Sequence, residues 1–234
     1  MKTIGILGGL GPEATADYYK KLINGFKKLN ENGSLTYPEI VIYSVTMSKF
    51  INLLEEGQNE VATHYLVDCI KKIERAGADF AAIGANTPHL LFNEIQSKTN
   101  LPLVSIVESC AIAAKKLQVK SCVLIGSKFT MQNGFFEDVF SKQSIEIVVP
   151  DEPEIELINK RLFEELELGI FKEDTKNEIL SILKDIKKDK SIDAVILGCT
   201  EFPLMFTEER YLDIPFLNTT QIHVDAIIKE CIKT

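Results

Sequence analysis

Short apolar stretches alternate with longer amphipathic stretches along the whole chain, and this alternation is typical of a parallel α/β fold. The apolar stretches predict strands at Lys2–Leu7, Glu39–Val45, Asp79–Ile83, Leu103–Ile106, Ser121–Ile125, Ile145–Val148, Asp193–Leu197 and Pro215–Leu217. The amphipathic stretches predict helices at Pro12–Leu29, Asn59–Ala76, Glu108–Leu117, Met131–Lys142, Glu154–Leu168, Glu173–Lys188 and Thr220–Lys233. We therefore expect parallel sheets whose faces are covered by helices.

The second half of the chain repeats the pattern of the first half. The phrase D-F-A-A-I-G-A-N-T-P-H at Asp79–His89 returns, with differences, as D-A-V-I-L-G-C-T-E-F-P at Asp193–Pro203. Two further pairs match in the same way, Ile4–Gly9 with Cys122–Ser127 and Leu101–Ser105 with Ile214–Asn218. The repeat predicts two pseudo-symmetric lobes, each a small parallel sheet flanked by helices.

The predicted lobes consist of residues 1–107 together with 219–234, and of residues 108–218. Ligands of parallel sheets bind beyond the carboxyl ends of the strands, and both repeated phrases end a strand at that edge. We therefore expect an active-site cleft between the lobes, with Ala85 on one wall and Cys199 on the opposite wall.

Composition narrows the classes of partner and the cellular setting. The net charge of −8 argues against binding of nucleic acid, because phosphate recognition needs a positive surface. No apolar run has the length of a signal peptide or a membrane span, so we expect a cytoplasmic protein without a membrane partner. The chain has 5 cysteines and lacks C-x-x-C and H-x-x-x-H spacings, which predicts neither a disulfide framework nor a metal site.

Cys199 differs from the other cysteines in its placement. It ends a predicted strand between Gly198 and Thr200, at a predicted helix N-terminus, where a thiol pKa is lowered and the thiolate is favoured. The remaining cysteines lie on predicted helices or within a strand, where cysteine behaves as a small buried apolar residue. Placement alone leaves Cys199 open as a catalytic thiol or as a buried structural one.

The segment Gly9–Ala14 fits the pattern G-x-G-x-x-A directly after a strand, so dinucleotide binding has to be considered. The predicted strand Glu39–Val45 ends without the acidic residue that this fingerprint requires, which argues against a nucleotide. Backbone N–H groups at the start of the Pro12 helix remain able to hold a carboxylate. The alternative is a tight strand-to-helix turn with no ligand.

Three motifs spread along the chain resemble those of the aspartate/glutamate racemase family, and specifically its aspartate racemase and broad-specificity amino-acid racemase branch. They are Gly8–Thr15, Asn86–His89 and Gly198–Leu204. The resemblance implies a racemase that uses neither pyridoxal phosphate nor a metal, with two acid/base residues on opposite sides of the substrate Cα. Cys199 would be one of them. The resemblance also implies a small amino-acid substrate contacted by Leu10, Asn86, Thr87, Ser127, Thr130, Thr200 and Arg161. We further predict a homodimer.

Ala85 departs from the family pattern at the position of the second acid/base residue. Relatives carry cysteine, or sometimes threonine, immediately before the Asn-Thr pair, and a methyl group cannot carry a proton. A natural member with another acid, a relative that works from one side only, and a deliberate knock-out of the acid/base residue all fit the sequence. Thr87 and His89 are the first candidates for a replacement acid.

The sequence is also compatible with two other functions, and it does not identify the side chain of the substrate. A one-thiol decarboxylase of substituted malonates would need no acid opposite the thiol. A non-catalytic binding protein for an acidic amino acid would need neither the thiol nor the opposite acid. An acidic substrate would require a cation for its side-chain carboxylate. Three residues lie in suitable segments, Lys49, Lys160 and Arg161.

Overall fold

In a computed structural model of the protein, which describes residues 1–30 and 36–233, strands and helices alternate along the chain. The strands are β1 Ile4–Gly8, β2 Ile40–Ser44, β3 Phe80–Ile83, β4 Leu103–Val104, β5 Ser121–Ile125, β6 Glu146–Val148, β7 Ala194–Leu197, β8 Arg210–Tyr211 and β9 Ile214–Asn218. The helices are α1 Pro12–Leu29, α2 Met47–Glu55, α3 Asn59–Arg75, α4 Phe92–Ser97, α5 Ile106–Lys116, α6 Lys128–Gln132, α7 Phe135–Phe140, α8 Glu152–Glu164, α9 Glu173–Asp189, α10 Phe202–Met205 and α11 Thr219–Ile232. Short 3₁₀ turns occupy Thr87–Leu91, Ser141–Gln143 and Leu166–Leu168.

The chain divides into two compact units, each built on its own sheet. The first unit contains the residues up to Ile106 and those from His223 onward, and the second contains Val107–Ile222. The first sheet has the order β2-β1-β3-β4, and the parallel part of the second has the equivalent order β6-β5-β7-β9. The short strand β8 pairs antiparallel with β9 at the edge. The predicted α/β class, with two parallel sheets flanked by helices, is confirmed.

The sheet of the first unit is buried on both faces, which explains why its central strands are apolar at consecutive positions. One face, which includes Leu7 and Ile83, packs with side chains of α3 in a single buried cluster. The other face, which includes Ile4 and Ile6, clusters with Tyr18, Leu22 and Phe26 of α1 and with Val224, Ile227 and Ile228 of α11. Helix α11 therefore completes the core of a unit whose other elements come from the first half of the chain.

The core of the second unit is built from the inward residues of β5 and β7 with the apolar stripes of α8 and α9. Val123 and Val195 cluster there with Ile158, Leu162 and Ile179. The carboxyl ends of β5 and β7 are thereby held side by side. Within the two described ranges, no helix has both the length and the apolar composition needed to cross a bilayer.

Several predicted helix boundaries are wrong for local reasons. The predicted helix Met131–Lys142 is two helices, α6 and α7, because Gly134 adopts a left-handed conformation with φ 69° between them. The predicted helix Glu154–Leu168 starts two residues earlier and stops at Glu164, with a 3₁₀ turn after it. Helices α2, α4 and α10 and strand β8 were missed, since each is short; α2, for example, buries only Phe50.

Candidate active site

The glycine-rich segment after β1 forms a tight turn into α1. Gly9 and Gly11 have φ values of 80° and 107°, which favour glycine, and a Cβ on Gly9 would lie 2.4 Å from the carbonyl oxygen of Val45. Thr15 closes the turn: its Oγ1 accepts the Gly9 N–H at 2.8 Å and donates to the Gly11 carbonyl at 3.0 Å. Leu10, in the middle of the turn, is buried in the same apolar cluster as Ala85.

The loop after β3 carries three of the predicted site residues, Ala85, Asn86 and Thr87. Ala85 and Asn86 are buried, and Thr87 is half-buried at the start of a 3₁₀ turn. The ring of His89 folds back onto this loop, with Nδ1 2.9 Å from the Ala85 carbonyl oxygen. Burial and the nearby ring of His223 lower the pKa of His89 to about 3, so its imidazole is neutral at ordinary pH.

Ser127 and Thr130 lie together at the carboxyl end of β5. Ser127 caps α6, because its Oγ accepts the Thr130 N–H at 3.2 Å, and the two hydroxyl oxygens are 3.0 Å apart. A Cβ on Gly126 would lie 3.0 Å from Thr130 and 3.4 Å from the Gly198 carbonyl oxygen. The backbones of the loops after β5 and β7 therefore lie close together, with little room for a side chain at Gly126.

Cys199 lies two residues after the end of β7 and is hydrogen-bonded to a carboxylate. Its thiol donates to Oε2 of Glu201 at 2.8 Å, and the Thr200 hydroxyl donates to Oε1 of the same carboxylate at 2.8 Å. The exposed fraction of Glu201 is only 9%. Loss of solvent, followed by the charges of Glu201 and Glu167, raises the pKa of the Cys199 thiol well above its usual range.

The predicted lowering of the Cys199 pKa is therefore wrong. A helix N-terminus favours a thiolate through its dipole, but α10 has only 4 residues and begins after Glu201. Loss of solvent and the two carboxylates beside the sulfur outweigh so short a helix, and they raise the pKa of Cys199 and favour the protonated thiol.

Glu167 is the third member of this group and was not predicted. Its carboxyl, the Cys199 thiol and the Glu201 carboxyl have ligand atoms within 4.8 Å of one another. Loss of solvent and the charge of Glu201 raise the pKa of Glu167 to about 7. A thiol and two carboxylates are also ligand types for a divalent cation, an option that the prediction of no metal site did not consider.

The three candidate cations for a substrate carboxylate have different environments. Arg161 Nε donates to Glu178 at 2.7 Å and its Nη1 donates to Glu165 at 2.9 Å. The exposed Lys160 lies 4.0 Å from Glu164. Lys49, in the first turn of α2, lies 4.3 Å from the ring centroid of Tyr65, and none of the ion pairs found among the described residues includes it.

The predicted site residues thus form two sets at the carboxyl ends of neighbouring central strands. Leu10, Ala85, Asn86 and Thr87 follow β1 and β3 in the first unit, and Ser127, Thr130, Cys199 and Thr200 follow β5 and β7 in the second. Arg161 lies outside both sets, on α8. The missed residue Glu201 stood only two positions from Cys199, whereas no sequence signal linked Glu167 to that thiol.

The sequence of the chain matches the model of one known protein family. The family model of Asp/Glu/hydantoin racemases matches residues 7–227. The broad-specificity amino-acid racemase RacX of Bacillus subtilis (strain 168) is 29% identical over 150 residues, which are 63% of this chain and 64% of RacX. The match thus spans slightly less than two thirds of that relative.

Solved structures match over the full length. A candidate Asp/Glu racemase from Yersinia pestis is 28% identical with a TM-score of 0.90, and the match covers 100% of both chains. An aspartate racemase homologue from Pyrococcus horikoshii OT3 is 35% identical with a TM-score of 0.85, again covering 100% of both chains. The chain therefore belongs to the Asp/Glu/hydantoin racemase family.

Proposed function

We propose that the protein is a cofactor-independent amino-acid racemase, an isomerase in which Cys199 exchanges the Cα proton on one face of the substrate. The observation that carries this proposal is the hydrogen bond from the Cys199 thiol to Glu201 at the carboxyl end of β7. It places a proton donor and a proton acceptor in contact, in a chain of the Asp/Glu/hydantoin racemase family.

The carboxylate gives the thiol both of the roles that racemisation needs. As an acid, Cys199 delivers its proton to Cα: the S–H bond breaks, a C–H bond forms, and the electron pair of the carbanion is used. As a base, the thiol first passes its proton to Glu201, and the thiolate then takes the Cα proton, leaving an electron pair that the substrate carboxylate delocalises. General acid/base help of this kind is typically worth about 10²–10⁴-fold.

Hydrogen-bond donors would stabilise the enolate-like intermediate. We assign this role to Asn86, Thr87, Ser127, Thr130 and Thr200, with Leu10 forming an apolar contact. Thr200 would act through its backbone N–H, because its hydroxyl donates to Glu201. Arg161 is a weaker candidate than the sequence suggested, because Glu165 and Glu178 already balance its charge. Lys49 is the better candidate for a substrate side-chain carboxylate, since a ring face rather than a carboxylate holds its ammonium group.

The opposite face of the substrate is the unusual part of the proposal. Ala85 supplies no proton, so two-way racemisation requires another acid or a water molecule on that side. Both nitrogens of His89 are engaged, by the Ala85 carbonyl and by the Ile106 N–H. The low pKa of His89 also argues against it as the acid, because its imidazole is neutral at ordinary pH. Thr87 is therefore the better candidate for the replacement acid.

The proposal is tested by exchange of the substrate Cα hydrogen in deuterated water, followed by NMR over a panel of D- and L-amino acids. We expect exchange with at least one enantiomeric pair and its loss in Cys199→Ala. Absence of exchange at millimolar substrate from neutral to mildly basic pH would contradict the proposal.

A one-thiol decarboxylase of substituted malonates is the second candidate, and Ala85 is the observation that favours it. There a single thiol protonates an enediolate from one face, so the opposite wall needs no acid. Release of carbon dioxide from a malonate panel supports this candidate, whereas loss of optical rotation at constant mass supports racemisation. If neither reaction occurs and calorimetry shows tight binding of one acidic amino acid, the protein is a binding protein.

Two further predictions complete the proposal, a homodimer and a cytoplasmic location. Neither follows from the arrangement of Cys199 and Glu201. Light scattering coupled to size-exclusion chromatography measures the first, and fractionation of the source cells measures the second.

A further inference from the structure

Two buried histidines form a polar cluster in the first unit that the proposed proton transfers do not use. His89 is 5% exposed and His223 is 0% exposed. Their ring centroids lie 6.3 Å apart at an interplanar angle of 82°. Each ring contacts two polar groups, so the cluster connects the loop after β3, the end of β4, and helices α1 and α11.

The hydrogen-bond partners determine which nitrogen of each ring carries the proton. Nε2 of His89 accepts the Ile106 N–H at 3.2 Å, so its proton is on Nδ1, which donates to the Ala85 carbonyl at 2.9 Å. Nε2 of His223 lies 2.9 Å from the Val104 carbonyl, an acceptor, and so carries the proton of that ring. The two neutral histidines are therefore opposite tautomers.

The bonds of His223 complete this assignment. Its Nδ1, which lacks a proton, accepts the hydroxyl of Tyr18 at 2.9 Å. Burial lowers the pKa of His223 to about 4, in agreement with a neutral ring. A charged ring in either position would turn an acceptor nitrogen into a donor and break one of its two bonds.

His89 connects two segments that sit beside each other at the carboxyl edge of the sheet. Ala85 follows β3, and Ile106 comes two residues after the end of the neighbouring strand β4. The carbonyl that His89 holds belongs to the peptide bond between Ala85 and Asn86, so fixing it orients the backbone that leads to Thr87. The ring itself is stacked on Phe92, with centroids 5.1 Å apart at 7°.

We propose that His89, as the neutral Nδ1–H tautomer, is the positioning residue of the loop Ala85–Thr87. Only a group with a donor at one end and an acceptor at the other satisfies both the Ala85 carbonyl and the Ile106 N–H. The effect on catalysis rests on the proposed racemase function, whereas the tautomer does not. The two parts are therefore tested separately.

The first experiment measures the ring nitrogens by two-bond ¹H–¹⁵N NMR on the full chain, with signals assigned through His89→Asn, His223→Gln and His64→Gln. We expect a protonated Nδ1 and an unprotonated Nε2 for His89, and the reverse for His223. Neither ring should titrate between about pH 5 and 8. An Nε2–H tautomer for His89, or titration of His89 in that window, would overturn the proposal whether or not the protein is an enzyme.

The second experiment compares His89→Phe with His89→Asn in the Cα-exchange assay. The asparagine amide can still donate to the Ala85 carbonyl, whereas phenylalanine keeps only the stacking on Phe92. Misplacement of substrate contacts by about 1 Å is worth about 10²-fold, so we expect kcat/KM to fall about 10–100-fold in His89→Phe and to recover substantially in His89→Asn.

His223→Gln is the matched control, because it removes an equally buried imidazole that has no bond to the Ala85 loop. We expect it to lower thermal stability while kcat/KM stays within about threefold of the starting protein. Equal losses of kcat/KM in a folded His223→Gln and His89→Phe, or full kcat/KM in His89→Phe, would show that His89 is structural only. Absence of any exchange in the starting protein contradicts the racemase proposal, and the tautomer measurement then decides on His89.

Discussion

The Cys199 thiol and the Glu201 carboxylate share a hydrogen bond of 2.8 Å, and the neighbouring hydroxyl of Thr200 holds the same carboxylate at its other oxygen. Glu201 is thus held by hydrogen bonds at both of its carboxylate oxygens. An acceptor fixed next to a thiol keeps the sulfur protonated, and it also provides the place to which the proton can move.

Replacing Glu201 by glutamine should lower the pKa of the Cys199 thiol toward its ordinary value, because a negative charge and a charge-assisted hydrogen bond are both lost. The pH dependence of alkylation by iodoacetamide measures this, since Cys199 is half-buried while the other four cysteines are buried. Cys199→Ala identifies the signal. An alkylation profile that Glu201→Gln does not shift would contradict the role given to this carboxylate.

Ala85→Cys should raise two-way racemisation by about 10²–10⁴-fold if residue 85 faces the substrate opposite Cys199. Ala85 is 8% exposed, so the added sulfur has to fit a packed cluster, which costs at most about 1–3 kcal/mol. Polarimetry measures the gain and thermal unfolding measures the fit.

Cys199→Ala in the Ala85→Cys background should abolish that gain, because the two thiols act as one unit. If racemisation is unchanged in Ala85→Cys while Cys199→Ala still removes an existing activity, the opposite acid lies elsewhere. Thr87→Val is then the variant to measure.

Lys49→Met should raise KM for an acidic amino acid by about tenfold or more, since a hydrogen bond to a charged group is worth about 1.5–3 kcal/mol. Lys49→Arg should retain most of the affinity. Lys160→Met is the control, because Lys160 is an exposed lysine that already has a carboxylate neighbour. Equal KM values in Lys49→Met and Lys160→Met would remove Lys49 from the site.

Below about pH 6.5, the two buried histidines should make unfolding easier. Their folded-state pKa values of about 3 and about 4 lie below the ordinary histidine value of 6.5. The unfolded chain therefore binds more protons as the pH falls, and their contribution to stability is present above about pH 6.5 and is lost toward pH 4. In this window each histidine lowers the free energy of unfolding by up to about 1.4 kcal/mol for each unit by which the pH falls.

Glu167 works against this trend, since its folded-state pKa of about 7 lies above the value of 4.5 for the free side chain. Its contribution to stability decreases as the pH rises from about 4.5 to 7. The measurement therefore compares the free energy of unfolding by urea at pH 7.5 and at pH 5, in the starting protein and in His223→Gln. His223→Gln should flatten the pH dependence; a slope equal to that of the starting protein would contradict the buried neutral imidazole.

The fold was predictable because the buried strands are apolar at consecutive positions and because the loops at their carboxyl ends repeat. Gly84 and Gly198 mark the same place in the two halves, and the structure has β3 and β7 before them. Short elements escaped for a physical reason: a helix of 4 to 9 residues, such as α10 or α2, has too few turns to display a 3.6-residue period.

The site was predictable only where its chemistry is local in sequence. Cys199, Thr200 and Glu201 are neighbours along the chain. Glu167 lies in the 3₁₀ turn Leu166–Leu168, and its carboxyl reaches the thiol because α8 and this turn pack into the core of the second unit. The direction of the Cys199 pKa shift was predicted wrongly for the same reason. Sequence predicts a helix N-terminus, whereas the loss of solvent around the sulfur and the approach of Glu167 depend on tertiary packing.

Helix α11 gives the protein an unusual order of assembly during synthesis. The second unit is continuous from Val107 to Ile222, so the ribosome completes it in one stretch. The first unit starts earlier, yet one face of its sheet lacks Val224, Ile227 and Ile228 until α11 has been translated. The half of the protein that is made first is therefore finished last, and its uncovered apolar face is the surface that a chaperone would meet on the nascent chain.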